Sequence, residues 1–300
     1  ASTVNVFNRE ASGELIDFSG NWWGGNASPE SSGKILGVGA DGIDYTPWLA
    51  SGADIAPGLL GFQGDFSVLH VDDDSPQYGP VGRITEAIGL LPATGGTIDV
   101  HAGTYAEDVD AVTPIKEVNL SPGASPGQVV INGSLTLNAG DTLSMELAGL
   151  NPATEYDNFV VQGDVVLNGA TLAASRVTSF VPPNGASFTL IDNDGNDAVA
   201  GTFAGLAEGT SVVLSGIPFT ISYQGGSGND VVLTIVTPTD VYVDDSWAGT
   251  PVGTTPATSV PPDLIFQYNA FAEIQGAIDR GLPAAKSPAA SVRTARPVTS

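Results

Sequence analysis

Residues 115–236 form a run of short segments in which apolar side chains alternate with polar or small ones. Examples are QVVINGSLTLNAGDTLSMEL, FVVQGDVVLNGATLAAS, ASFTLIDNDG and GNDVVLTIV. Turns rich in Gly, Asn and Asp separate them roughly every ten residues, which is typical of β-strands. Because isolated hairpins would leave strand edges exposed, these strands must stack into a solenoid or close into a sandwich. The irregular period leaves both arrangements open.

The composition favours an all-β protein with few helices. The 300 residues include 38 Gly and 21 Pro, and many others are Val, Thr and Ile, which favour strands. The formal net charge of −24 repels phosphate groups, so we expect no nucleic acid partner. Cys is absent, which excludes disulfides and thiolate metal sites. No apolar run reaches the ~18 residues that a membrane span needs.

The N-terminal segment contains two tryptophan-rich motifs. Asn21-Trp22-Trp23-Gly24 leads into a Gly/Ser-rich loop, and Asp44-Tyr45-Thr46-Pro47-Trp48-Leu49 follows it. The pair resembles the final coil of pectin-lyase-like right-handed parallel β-helix proteins, in which an Asn-Trp-Trp-Gly type of turn and a Thr-Pro-Trp-Leu type of strand close the solenoid. The resemblance implies that residues 1–62 are the final coil and cap of a β-helix.

A second stretch, residues 63–114, resembles the opening of such a β-helix. Its Gly95-Gly96 turn leads into a strand over 97–101 and then into Gly103-Thr104-Tyr105. In the pectin-lyase-like family a capping helix precedes a first coil of this pattern. Four apolar residues at helical spacing predict that helix over 83–91: Ile84, Ala87, Ile88 and Leu91.

Residues 115–236 resemble the β-strand repeats between modules of large bacterial surface proteins and autotransporter passengers. Residues 237–280 are similar to the start of a further module, because Tyr242-Val243-Asp244-Asp245 repeats His70-Val71-Asp72-Asp73 in degenerate form. These resemblances imply a bacterial protein at an extracellular or cell-surface location.

The last segment, residues 281–300, contains no Asp or Glu but three basic residues, Lys286, Arg293 and Arg296. Degenerate codons for 281–294, read one frame over, permit a Gly-Gly and a Gly-Thr-Tyr at the spacing found in residues 95–105. We therefore expect residues from about 280 onward to be an out-of-frame reading of the next coil, and to be unstructured. An ordinary disordered linker is the alternative.

Two loops and one turn carry oxygen ligands suited to Ca2+ or another divalent cation. The loop at 192–197 resembles half a calcium loop, although it lacks the Gly and Glu that an EF-hand requires. The segment 225–233 fits one calcium-binding β-roll nonapeptide. A polar hairpin turn is the alternative for both loops, and a solvated turn is the alternative for 72–74. The candidate ligands are Asp72, Asp74, Asp192, Asp194, Asn196, Asp197, Asn229 and Asp230.

Asp99 and His101 are the candidate catalytic residues. Because strand side chains alternate, Ile98 and Val100 share one face and Asp99 and His101 the other. The resemblance implies that this is the outer face, where glycan-active β-helix enzymes carry their catalytic groups, so the pair could act in acid–base catalysis. A plain solvent-facing surface is the alternative, and His70 is expected to be structural. No phosphate loop or metalloprotease motif occurs, and we expect no organic cofactor.

Two functions follow from these patterns. The first is a fragment of a large repetitive bacterial extracellular or surface protein with a structural, adhesive or glycan-binding role, whose partner is a glycan or a cell-surface ligand. The alternative is a promiscuous metal-assisted hydrolase, or a glycan-active β-helix enzyme, that uses the Asp clusters and His101.

Overall fold

A computed structural model describes residues 6–7, 14–37, 39–111, 116–123, 126–257, 259, 261–281 and 291–294. In this part the chain is mostly β-strand and is organised as a parallel β-solenoid with two short α-helices. The all-β solenoid fold class predicted from the sequence is thereby confirmed. Neither of these two helices has the length and apolar character needed to cross a membrane.

The N-terminal segment folds into parallel coil strands with a small core of its own. The strands are β1 (Val6–Phe7), β2 (Ile16–Asp17), β3 (Ile35–Leu36), β4 (Ile43–Asp44) and β5 (Trp48–Leu49). β1 pairs in parallel with β3, and β2 with β4. Their separate apolar cluster consists of Trp23, Ile35, Ile43, Tyr45 and Trp48. The tryptophan-rich motifs therefore supply much of this core.

The next segment contains β6 (Val68–Val71) and α1 (Arg83–Leu90). β5 pairs antiparallel with β6, so the N-terminal coil is joined to the edge of the main sheet. The helix lies where the sequence predicts it and buries the predicted apolar face. Its first N–H groups need acceptors, and the Glu107 carboxylate from a neighbouring coil accepts those of Ile84 and Thr85, both at 2.9 Å.

Replacing Glu107 by Gln is expected to lower the free energy of unfolding by about 1–2 kcal/mol, because the charged acceptor at the helix N-terminus is lost. Urea denaturation followed by circular dichroism measures this change. Asp164→Asn, at an exposed acid, is the matched control. Equal losses in the two variants would contradict the capping role of Glu107.

Four successive coils each give one strand to each of three parallel sheets. The first coil contains β7 (Gly96–Val100), β8 (Gly103–Tyr105) and β9 (Val109–Asp110), and the second contains β10 (Val118–Pro122), β11 (Gln128–Ile131) and β12 (Leu135–Asn138). The third contains β13 (Thr142–Leu147), β14 (Asn158–Val161) and β15 (Val165–Asn168), and the fourth contains β16 (Thr171–Arg176), β17 (Ser187–Asn193) and β18 (Ala200–Thr202). The choice between solenoid and sandwich is thus decided for these coils in favour of the solenoid.

The core is a set of apolar columns in which each coil stacks in register on the next. One column runs through Leu69, Ile98, Leu120, Leu143 and Leu172. A single apolar cluster extends from Leu49 to Tyr268. The core therefore passes without a break through the module boundary suggested by the sequence at 114. Beyond the boundary at 236 only Ile265 and Tyr268 join it, and the last segment has two further apolar clusters of its own.

Three antiparallel strands complete the sheet that contains β8, β11, β14 and β17. They are β19 (Ser211–Leu214), β20 (Ile217–Gly225) and β21 (Asp230–Ile235). Arg176, at the end of β16, is 4% exposed and joins the fourth coil to this hairpin. Its guanidinium donates to the backbone carbonyls of Val177, Thr178, Phe180, Leu214 and Ser215.

The last described segment contains β22 (Asp240–Val243), β23 (Ala270–Phe271), α2 (Ile274–Gly281) and β24 (Ser291–Thr294). β22 pairs in parallel with β24, so strand, helix and parallel strand recur in the order of β6–α1–β7, with β23 added between β22 and α2. The expectation of a wholly unstructured tail is therefore wrong for Ser291–Thr294, which form a strand. Residues 282–290 and 295–300 lie outside the described residues, and the out-of-frame origin of the tail stays a hypothesis about the nucleotide sequence.

Candidate functional site

The two histidines of the chain lie side by side on the outer face of the sheet that contains β5, β6, β7, β10, β13 and β16. His70 on β6 stands opposite Asp99 on β7, with 3.6 Å between His70 Nδ1 and Asp99 Oδ2. Two residues further along the chain from each of these, His101 Nδ1 lies 3.5 Å from Asp72 Oδ2. We call His70, Asp72, Asp99 and His101 the His–Asp cluster.

Trp48 covers the His–Asp cluster. It stands opposite His70 in the antiparallel β5–β6 pair, and its ring stacks on the His70 ring at a centroid distance of 5.2 Å. The His101 ring meets Trp48 edge-on at 5.0 Å and lies 5.6 Å from the His70 ring. Asp99 and His101 do lie on the face opposite Ile98 and Val100, and Trp48 covers His70 and part of His101 on this face.

Burial sets the charge states in the cluster. It lowers the pKa of His70 to about 4, helped by the nearby His101, so His70 is neutral at pH 7. Burial also raises the pKa of Asp99. For Asp72 burial acts in the same upward direction, but hydrogen bonds from His101 and from the Asp74 N–H outweigh it, and the pKa of Asp72 is lowered. Asp72 is therefore the ionised partner of His101.

This arrangement can move protons. An imidazole held at Nδ1 by a carboxylate can take a proton at Nε2, as a general base does. Asp99, whose pKa is raised by burial, is the second carboxyl group beside it. His101 and Asp99 keep 17% and 28% of their side-chain surface exposed, so both can be reached from solvent.

The site predicted from the sequence contains neither His70 nor Trp48. A signal for His70 is nevertheless present, because His70-Val71-Asp72 and Asp99-Val100-His101 are mirror patterns. When two such strands pair in parallel and in register, each His meets an Asp. No comparable local signal places Trp48 there, since residues 50–67 separate β5 from β6 along the chain.

The turn at 72–74 gathers three carboxylates. Those of Asp72, Asp73 and Asp74 lie within 4.8 Å of one another, and no other group of three such ligands in the described part of the chain does so. The turn also has hydrogen bonds of its own, since Asp73 accepts the Thr104 N–H at 2.7 Å and Asp72 accepts that of Asp74 at 3.1 Å. Cation binding at this turn stays a prediction.

The structure brings the two candidate calcium loops together. The Asn229 amide donates to the carbonyls of Asn193, Gly195 and Asp197 at 2.8–3.0 Å, and the Asp230 carboxylate accepts the Asn193 N–H at 3.2 Å. The amide nitrogen therefore lies where converging carbonyl oxygens could hold a cation. Ca2+ at these loops stays a prediction, as do the ligand roles of Asp192, Asp194, Asn196, Asp197, Asn229 and Asp230.

Replacing Asn229 by Ala is expected to lower the free energy of unfolding by about 2–3 kcal/mol, because one buried and two partly buried carbonyls lose their donor. Thermal and urea unfolding measure the loss. Asn196→Ala, in the same loop pair but exposed, is the control and should stay close to the parent. Rescue of Asn229→Ala by added calcium would indicate that an ion can replace the amide.

A cavity of about 650 Å³ lies between the β19–β20 hairpin and the last module. Its lining includes Tyr242, Tyr268, Asp240, Asp263 and Asn269. Tyr268 is buried and donates its hydroxyl to the Val236 carbonyl at 2.7 Å. No sequence pattern indicates this cavity, because its walls come from segments that only the fold brings together.

The comparisons with known proteins add no relative. No protein-family model, no curated protein and no solved structure matches the chain. The fold is a β-solenoid. Membership of the pectin-lyase-like or autotransporter families stays a prediction.

Proposed function

We propose that the chain is a structural and adhesive segment of a large repetitive bacterial protein displayed outside the cell. The observation that carries this proposal is the repeated module start, β6–α1–β7 and β22–α2–β24, around a continuous stack of coils. Such repeats build an extended surface and need no enclosed site. The net charge of −24 supports a solvated, extracellular setting.

The partner proposed for this segment is a glycan, bound in the 650 Å³ cavity. Tyrosine rings can pack against the C–H faces of sugars. Carboxylate and amide groups, here those of Asp240, Asp263 and Asn269, can hydrogen-bond sugar hydroxyls. Tyr242 is half-buried at the cavity wall, so its ring is accessible to a ligand.

Binding of the untagged chain to arrayed glycans and insoluble polysaccharides tests the adhesive role. We expect retention on at least one glycan class, loss of retention in Tyr242→Ala, and no change in Tyr78→Ala, which alters a tyrosine that is 52% exposed elsewhere. Failure to bind any glycan or any bacterial surface would contradict the adhesive role.

The His–Asp cluster supports a second candidate function, metal-assisted or acid–base hydrolysis. His101, oriented by Asp72, would take a proton from water, and Asp99 would protonate the leaving group. Ester, phosphoester and glycan substrates should be assayed with and without chelator. His101→Asn and Asp99→Asn are each expected to lower kcat/KM by on the order of 100-fold or more, while Asp164→Asn leaves it unchanged. Activity that survives both cluster variants would exclude this site.

A further inference from the structure

We propose that the His–Asp cluster binds a divalent transition-metal ion of the zinc class, with His70 and His101 as nitrogen ligands and Asp72 and Asp99 as oxygen ligands. The inference goes beyond the acid–base candidate function, because in a zinc site with these four ligands His101 and Asp99 would be ligands rather than the proton acceptor and the proton donor. It assigns a ligand role to His70, for which the sequence predicts only a structural one.

The first observation is the buried and unpartnered state of His70. Its side chain is 5% exposed, and neither ring nitrogen has a hydrogen-bond partner. Burying a polar side chain without partners is costly, and native proteins leave few such groups unexplained. A bound ion would take up the free lone pair of this imidazole.

The second observation is the spacing within each His–Asp pair. Two ligand atoms bound about 2.0–2.1 Å from a tetrahedral zinc ion lie about 3.4 Å apart. The two nitrogen–oxygen distances in the cluster are 3.6 and 3.5 Å. Each pair therefore already has the separation of two ligands on one ion.

Binding at one point requires the two pairs to move toward each other. Among the described residues, only the three carboxylates of the 72–74 turn have ligand atoms that all lie within 4.8 Å of one another. The imidazole centroids are 5.6 Å apart, and Trp48 blocks one side of both rings. Rotation of the half-exposed Asp99 and of the His101 ring is the movement that remains open.

The donor set selects the class of ion. Imidazole nitrogens combined with carboxylate oxygens suit zinc and its neighbours in the transition series. Calcium and magnesium prefer oxygen ligands alone. A calcium ion at the 72–74 turn would use Asp72, Asp73 and Asp74. Asp72 is therefore the one ligand that the two sites share.

The test is calorimetric titration of Zn2+ into untagged, chelator-treated protein, with the visible absorption of bound Co2+ as a readout of imidazole coordination. We expect one ion per chain. His70→Gln and His101→Gln should each weaken zinc binding on the order of 100-fold and abolish the Co2+ band. Asp74→Asn and Asp164→Asn should leave both signals unchanged.

Because a buried His70 variant could fail to fold, Asp99→Asn is the second variant, and circular dichroism checks each protein before titration. No binding by the parent protein would overturn the proposal, and so would binding that is lost in Asp74→Asn but kept in Asp99→Asn. Binding without any hydrolysis would support the metal site and reject the hydrolase function. Hydrolysis that is unaffected by chelator, in a chain that binds no zinc, would support the hydrolase function and reject the metal site.

Discussion

Replacing Arg176 by Met is expected to lower the free energy of unfolding by about 3–5 kcal/mol. Arg176 is 4% exposed, and all the acceptors that its guanidinium reaches by hydrogen bonds are backbone carbonyls, on the 177–180 loop and at the end of β19. Met has a similar length but no donors, so one buried and four partly buried hydrogen bonds to carbonyls would be lost. Losses of this size are typical when a buried hydrogen-bond network is broken.

Urea denaturation of the parent, Arg176→Met and Arg176→Lys measures this effect. Lys keeps the charge but cannot fork toward two chain segments at once, so its loss should be intermediate. A loss below about 1 kcal/mol in Arg176→Met would show that water replaces the guanidinium at these carbonyls. In that case Arg176 would not hold the fourth coil to the hairpin.

Acidification of chelator-treated protein from about pH 7.5 to pH 4 is expected to lower the free energy of unfolding by about 3 kcal/mol through His70 alone. The pKa of His70 is about 4 in the folded chain and about 6.5 when unfolded. Between these values the unfolded state binds more protons, so the stability present at neutral pH falls as the pH drops through this window.

The other groups that face His70 modify this result at its acidic end. The pKa of Asp99 is raised by burial, so its protonation favours the folded state and offsets part of the loss. The pKa of Asp72 is lowered, so its carboxylate stabilises the folded state above the unfolded pKa of about 3.9. This contribution is lost as the pH falls from that value through the lower pKa of the folded state, which adds to the loss from His70. Trp48 carries no charge, and His101 is the remaining titratable neighbour.

His70→Gln isolates the His70 contribution, because Gln does not titrate. The measurement is the free energy of unfolding of both proteins at about pH 7.5, 6, 5 and 4. The difference between parent and variant should change by about 3 kcal/mol over this range. Parallel pH profiles would mean that His70 takes up a proton in the folded state as easily as in the unfolded one.

Local periodicity explains why much of the fold could be predicted from the sequence. The alternation of Ile98 and Val100 with Asp99 and His101, and the helical spacing from Ile84 to Leu91, depend only on neighbouring residues. Solenoid and sandwich could not be distinguished, because column residues such as Leu120, Leu143 and Leu172 are unevenly spaced along the chain. The loop between β13 and β14 adds residues 148–157 to one coil and breaks the period.

The candidate site was harder to predict, because it depends on pairing across long stretches of chain. Asp99 and His101 could be named from one strand, but their partners Asp72 and His70 come from another. Trp48 reaches the cluster through an antiparallel pair that follows no repeat. Asn229 was proposed as a cation ligand because its loop fits a nonapeptide. That pattern does not reveal that its amide reaches the carbonyls of the 193–197 loop.

The in-register columns make the whole coil the unit in which this chain can change length. If one complete coil is duplicated or deleted, every remaining apolar residue still faces the same kind of neighbour above and below. Each added coil would lengthen the solenoid by about 4.8 Å, the spacing between paired strands. A deletion of one residue inside a strand would instead turn part of a column outward. Relatives of different length should therefore differ by entire coils or by loops such as 148–157.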